Sequence, residues 1–358
     1  MSERIEDRIG HYLVPHLEDY VFDELSDAYL DRAGIADIMM GVPVPINKKK
    51  MMKLSTVDIA RSMAFVIGCD PNFDYAQNYI AYIKRMFGDE FVKALIADGV
   101  DGATKHDYDY ACIQFRAAML IDPGNVDAMY CYGRACKDAY ELGEEEEFVG
   151  RFKAESLDAF EQVTLRRPDF AEAFYFLGYG YVNLGLYIKA QLTWKEYMRL
   201  TEEQAAGEDE KAASIRQLRK EVQMRLVSLE EPVKVEQGYN LVLSGRFQEG
   251  IEALTQYKDG KYKDWWPLWY YLGVAYQQLE MNEEAVVHFR HVLQLSPSNL
   301  ETMEELVKVY QRMGDEAMAS KYTKKMEVVK ANMELDRAEK AAADEAVKAA
   351  PTPEGLLS

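Results

Sequence analysis

The chain has 358 residues, with 42 Lys and Arg against 61 Asp and Glu, and a formal net charge of −19. Its 48% hydrophobic and 12% aromatic content is enough to build a core, while its acidity argues against generic binding to nucleic acid or anionic membranes. Eleven Pro and 22 Gly are few for this length, which favours long helices over turn-rich β structure.

Residues 1–91 read as an N-terminal helical domain or cap. The opening MSERIEDRIGHYL is charged where a secretory leader needs an apolar run. Ile5, Ile9, Leu13, Leu17, Val21, Leu25 and Ala28 recur at helical spacing, with a kink expected at Pro15. GVPVPINKKKMMKLS then reads as a loop, and Lys48, Lys49 and Lys50, with Lys53, form the densest basic cluster in the chain. The cluster is read as a solvated loop, with a secondary role as a basic patch for an acidic partner. Ser55 or Thr56 can cap a helix through Val66, and Asp74 starts another through Phe87. Cys69, Cys112, Cys131 and Cys136 make no disulfide framework or zinc spacing, which suits small buried thiols in a reducing, cytoplasmic setting. No window offers the long apolar run of a membrane span.

From residue 92 onward one spacing returns repeatedly. WPLWYYLGVAYQQLEMNEEAVVHFRHVLQLSPSN carries Trp269, Leu272, Gly273 and Tyr276, then Ala285, Phe289, Val292 and Pro297. Upstream, Phe174, Leu177, Gly178 and Tyr181 precede Ala190, Trp194 and Tyr197. Met129, Tyr132, Gly133 and Cys136 open a unit closed by Ser156, Phe160, Val163 and Pro168, its second half arriving 11 residues late. That delay marks an insertion near 141–151, around Glu144–Glu147. Weaker copies hold Leu95, Gly99, Ala111, Phe115, Ala118 and Pro123; Leu241, Gly238, Gly250, Leu254 and Tyr257; and Met303, Leu306, Tyr310, Ala319 and Met326. Small residues such as Gly273 and Ala285 let two helices approach closely, and Pro297 stops the second.

This pattern resembles the tetratricopeptide repeat, a pair of antiparallel helices of about 34 residues. The resemblance implies an all-α fold, a right-handed α-solenoid of about six hairpins, at roughly 92–125, 126–170, 171–204, 231–264, 265–299 and 300–333. Residues 92–204 and 231–333 would be two lobes of three repeats. Between them, residues 205–230 read as a bridging helix, with Ile215, Leu218, Val222, Leu226 and Leu229 as its apolar stripe. Residues 334–358 read as a C-terminal capping helix with a frayed tail.

In this family the first helix of each hairpin lines a concave groove. The family's groove positions fall here on Tyr130, Arg134, Lys137, Tyr175, Tyr179 and Asn183 in the first lobe. In the second they fall on Tyr239, Tyr270, Gln277, Gln278, Lys308, Gln311 and Arg312. Tyrosines with Asn and Gln suit an extended peptide, and Arg134, Lys137, Lys308 and Arg312 suit an acidic or carboxylate-bearing one. The sub-class that clamps chaperone carboxylate tails needs Asn just after the Gly position; Val100, Arg134 and Tyr179 stand there instead.

No catalytic motif appears, and no cofactor or metal is expected. His288 and His291 read as a solvent-facing pair, and His11 and His16 have poor spacing for a shared ligand. The expected function is an intracellular protein–protein interaction scaffold or adaptor that takes a peptide or helix in its groove. The alternative is a peptide-responsive regulator with the N-terminal domain as output. For DNA binding, the stretch AFVIGCDPNFDYAQNYIAYIKRM is poor in cations.

Overall fold

The computed structural model describes residues 5–50 and 55–349, with backbone alone for Lys50 and residues 339–349. The expected frayed tail from Pro351, and Lys53 of the basic cluster, lie outside the described residues. The chain divides into two compact units, Met1–Leu226 and Val227–Ser358.

The first unit opens with a departure from the sequence reading. Instead of one kinked helix there is a single turn α1 (Gly10–Leu13), a 3-10 segment Val14–Asp19 and a strand β1 (Tyr20–Glu24). Pro15 sits in the first turn of the 3-10 segment, where its missing N–H costs nothing. The β-branched and aromatic residues that follow favour extension. Short helices α2 (Asp27–Ala33) and α3 (Ala36–Met39) lead to β2 (Pro43–Asn47). β2 lies in what the sequence reads as loop. It pairs antiparallel with β1, from Tyr20 opposite Asn47 to Glu24 opposite Pro43. Two prolines suit a strand with an unpaired edge, and Tyr79 anchors the pair by donating its hydroxyl to the Pro43 carbonyl at 2.5 Å.

Two longer helices follow, α4 (Thr56–Cys69) and α5 (Ala76–Phe87). Ser55 caps α4 in a reciprocal box with Asp58. Ile9 and Leu13 of the N-terminal arm are fully buried among Cys112, Phe115 and Phe152, and Arg8 reaches Glu155 and Asp158. These contacts tie the arm to the repeats.

The repeats begin with α6 (Asp89–Thr104) and α7 (Tyr108–Ile121), then α8 (Val126–Leu142) and α9 (Glu146–Arg166), then α10 (Ala171–Asn183) and α11 (Tyr187–Leu200). The insertion near 141–151 forms no separate element. It lengthens α8 and α9 past their counterparts, leaving Gly143–Glu145 as the link. A one-turn helix α12 (Glu202–Ala205) precedes α13 (Glu210–Ser228), the bridging helix, on which Val222 is buried.

The second unit holds α14 (Glu230–Leu243) and α15 (Phe247–Thr255), α16 (Trp266–Gln278) and α17 (Asn282–Leu295), then α18 (Leu300–Arg312) and α19 (Glu316–Ala349). The stretch from Glu334 is not a separate capping helix. It continues α19, because nothing between Glu316 and Ala349 breaks helix.

One device recurs through both units. A Cβ on Gly99, Gly238 or Gly273 would fall 2.6 Å from Phe115, Leu254 or Phe289 of the facing helix. On Gly133 it would fall 3.1 Å from Phe160. The bare backbone therefore lets a bulky side chain seat against the first helix. Seven residues later the chain turns through a left-handed residue: His106, Gly185, Gly245 and Glu280 all have positive φ. Gly133 lacks this turn because α8 runs on through the insertion.

Candidate functional site

The lengthened α8–α9 hairpin stands beyond the point where α10 ends at Asn183. The step leaves a cleft of about 750 Å3. Lys137, Tyr140 and Glu141 of α8, Lys153 and Leu157 of α9, and Tyr175, Phe176, Tyr179 and Asn183 of α10 line it. Phe160 and Phe176 stack at 5.5 Å between ring centroids, giving it an apolar floor. A Cβ on Gly180 would lie 2.8 Å from Leu157, so that glycine sets how closely α10 approaches α9.

Cations sit on this aromatic floor and rim. The Arg134 guanidinium lies 4.4 Å from the Phe176 ring centre, and its Nη1 donates to the Tyr130 hydroxyl at 3.4 Å. Lys137 is tied to Glu141 at 2.6 Å and Asp138 at 3.4 Å. Lys153 is exposed, its Nζ 5.6 Å from the Tyr140 ring centre. Tyr130 packs against Phe160, Phe170 and Phe176, so its ring serves the core as well as the rim.

Four of the six first-lobe candidates, Lys137, Tyr175, Tyr179 and Asn183, thus meet in one cleft. The hydroxyls of Tyr175 and Tyr179, however, both donate to Glu221 of α13. Burial and this carboxylate push the Tyr179 phenol well above its ordinary pKa. Arg225 of α13 sits 5.6 Å from the Tyr179 ring centre. The bridging helix therefore engages the polar tips of two side chains expected to face a ligand.

In the second unit several candidates are taken up by contacts with their neighbours. Tyr239 stacks on Tyr271 at 4.9 Å. Tyr270 packs edge-on against Trp266 and Tyr271, its phenol raised in pKa first by burial and then by Glu301. Gln277 is no groove residue: it is 1% exposed, and Arg312 donates to its backbone carbonyl at 3.4 Å. The face of α16 carrying it is covered within the unit. Gln278, Gln311 and Arg312 are exposed, and Lys308, also exposed, pairs with Glu305 at 2.7 Å.

His288 likewise departs from its solvent-facing reading. It is 6% exposed, stacked on Tyr276 at 5.0 Å, with its ring nitrogen Nδ1 donating to the Glu284 carbonyl at 2.8 Å. Burial lowers its pKa, and Lys258 and His291 push the same way. His291 lies over Trp269 at 4.0 Å.

The family model described as tetratricopeptide repeat matches residues 266–299, the α16–α17 hairpin and its following turn. That hairpin is a tetratricopeptide repeat. Among solved structures, "Crystal structure of MamA protein" is 16% identical, covering 74% of this chain and 99% of its own, with TM-score 0.27. "MamA 41-end from Desulfovibrio magneticus RS-1" is 13% identical over 69% of this chain and 96% of its own, at TM-score 0.27. "Crystal structure of APC/C hetero-tetramer Cut9-Hcn1" is 15% identical over 91% of this chain and 56% of its own, at TM-score 0.33. No curated protein sequence matches. The repeat reading of the other hairpins rests on the recurring helix-pair geometry.

Val100 stands exposed and Arg134 lies on Phe176, where the chaperone-clamp sub-class needs Asn. Of the basic cluster, Lys48 donates to the Glu18 carbonyl at 2.6 Å and Lys49 pairs with Asp19 at 2.6 Å. Both tie β2 to the 3-10 segment, and the Lys50 side chain lies outside the described residues. Sequence reasoning missed Tyr140, Lys153, Leu157 and Phe176. The 11-residue delay was the signal that could have found them, had it been read as two lengthened helices.

Proposed function

We propose that this protein is an interaction scaffold whose principal docking site is the cleft between α8, α9 and α10. The observation that carries the reading is the step left by the lengthened hairpin. It adds a wall and a lysine rim to a surface that is open in an even stack of repeats. The occupant fitting this chemistry is a protein segment with an apolar side chain for the Phe160–Phe176 floor and a carboxylate for Lys153. The remaining groove residues, Tyr130 and Arg134 in the first lobe and Tyr239, Tyr270, Gln278, Lys308, Gln311 and Arg312 in the second, serve as flanking contacts in this proposal. The second-lobe surface is the lesser site in this proposal, since Gln277 is buried and Lys308 is paired with Glu305. A cytoplasmic setting and a non-enzymatic role complete the reading, supported by the interaction character of the repeat.

The test is peptide selection. A random peptide display library is panned on the wild-type protein and on a Lys153→Glu/Leu184→Asp variant. Both changes are at exposed positions, and far-ultraviolet circular dichroism checks that the variant keeps the wild-type helicity. The proposal expects peptides rich in Asp or Glu beside Leu or Phe, recovered by wild type and at least tenfold depleted on the variant. Equal recovery on both proteins removes the cleft as the docking site.

A further inference from the structure

The bridging helix α13 is held to the first unit more by polar side chains than by a core. Of its 19 residues, Ala212 and Val222 are buried, while Ile215, Leu218 and Leu226 of the expected apolar stripe stay half-buried. Arg219 donates to the Met198 carbonyl at the end of α11 and, at 2.8 Å, to the Thr201 hydroxyl. Arg216 donates to the carbonyls of Ala205 and Gly207 at 2.8 and 2.7 Å. Further along the helix, Glu221 accepts from the hydroxyls of Tyr175 and Tyr179 on α10.

Both tyrosines line the docking cleft. Their rings are placed by neighbours in the repeat itself. Tyr175 packs against Phe176 and Tyr197 at 5.0 and 5.5 Å between ring centroids, and Tyr179 packs against the buried Trp194 at 4.9 Å. Trp194 is fixed in turn by its bond to the Tyr175 carbonyl at 3.0 Å. The rings therefore have supports that do not depend on α13. What the helix takes up is their polar tips, through Glu221, with Arg225 over the Tyr179 ring.

The chemistry of that contact bears on any acidic ligand. A phenol has one proton to donate, and here two phenols direct both to a single carboxylate. A partner carboxylate reaching the same corner of the cleft finds those donors taken and meets the negative charge of Glu221 as well. The helix carrying Glu221 is anchored over a small buried area, by hydrogen bonds for which water is a ready substitute. A contact of this kind opens locally at lower cost than one built on a packed core.

We infer that α13 is an internal ligand of the docking cleft: Glu221 holds the Tyr175 and Tyr179 hydroxyls that an acidic partner segment takes, and the partner binds fully when α13 has left α10. The inference rests on the docking reading of the cleft and adds its regulation. The protein then has a closed form, with α13 on the tyrosines, and an open form that binds tightly. A closed form favoured tenfold lowers the apparent affinity about tenfold, and anything that frees the helix restores it. Binding and release of α13 are linked in both directions, so an acidic segment in the cleft also loosens the helix.

The test uses the full chain in three forms: wild type, Glu221→Ala, and Arg216→Ala/Arg219→Ala. The arginine variant cuts tethers of α13 at residues that do not line the cleft. It also makes the protein more acidic, so charge alone would weaken an acidic ligand on it. The probes are display-library peptides selected in parallel on wild type and Glu221→Ala, kept where Lys153→Glu/Leu184→Asp depletes them. Fluorescence anisotropy reads affinity, and hydrogen–deuterium exchange reads α13. The expected result is binding about tenfold tighter to both variants than to wild type, with faster exchange along α13 and wild-type exchange in α10 and α11 of the unliganded variants. Peptide added to wild type should speed exchange in α13. Cleft-dependent peptides that bind the variants equally or more weakly overturn the inference and leave the docking reading standing. Tightening on Glu221→Ala alone reduces the effect to charge and overturns displacement. Failure to recover any cleft-dependent peptide on either protein removes the docking reading, and the inference with it.

Discussion

The sharpest structural prediction concerns two glycines that look alike in sequence. Gly178 and Gly150 both lie inside helices, α10 and α9. A methyl on Gly178 would stand 2.5 Å from Cε2 of Trp194 and closer still to Nε1. The indole is 1% exposed and donates to the Tyr175 carbonyl at 3.0 Å, so it cannot swing away without breaking that bond. Overpacking of this kind costs about 1–3 kcal/mol, and a broken buried hydrogen bond adds about 1–3 kcal/mol. The better helix propensity of Ala returns roughly 1 kcal/mol. Gly178→Ala should therefore destabilise the first unit by about 1–5 kcal/mol. At Gly150 a new Cβ meets nothing within 4 Å, so Gly150→Ala should stabilise by about 0.5–1 kcal/mol. Urea unfolding followed by far-ultraviolet circular dichroism measures both. Similar midpoints for the two variants would refute the close-approach argument.

Other consequences can be checked in the same way. His288 is neutral-favouring in the folded state, while in the unfolded chain it takes up a proton near its ordinary value of 6.5. Below that pH the unfolded state binds more protons, so stability should fall on acidification, and His288→Phe should flatten the pH 7 to pH 5 decline in urea midpoint. Glu280 and His106 occupy left-handed turns that glycine fills in neighbouring hairpins, so Glu280→Gly or His106→Gly should raise stability by up to about 1 kcal/mol in the same urea assay. Tyr179→Phe removes the bond to Glu221 and should cost about 1–2 kcal/mol in urea unfolding, with a matching rise in amide exchange along α13.

The repeat helices were legible because their rules are local. Gly273 and Phe289, or Gly178 and Trp194, keep a fixed offset inside one hairpin. The N-terminal strand pair was not legible, for two reasons. Val21 continues a four-residue apolar spacing that also fits a helix, and β2 is disguised by Pro43 and Pro45. Pairing Tyr20 with Asn47 is a non-local event that no window contains. The buried states of Gln277 and His288 depend on neighbouring helices for the same reason. Part of the cleft was visible as Tyr175, Tyr179, Lys137 and Asn183, placed by repeat register. Its wall was not, because an insertion's length does not say which helices absorb it. The engagement of Tyr175 and Tyr179 by Glu221 likewise needs α13 in place.

The most direct measurement of the central claim is hydrogen–deuterium exchange with and without a peptide recovered by the selection. The account predicts slowed exchange in α10 from Tyr175 to Leu184 and at the link Gly143–Glu145 with the adjoining turns of α8 and α9. Little change is expected in α16 or α18. Protection confined to the second unit, or to the N-terminal region with the α8–α10 cleft unchanged, would contradict it.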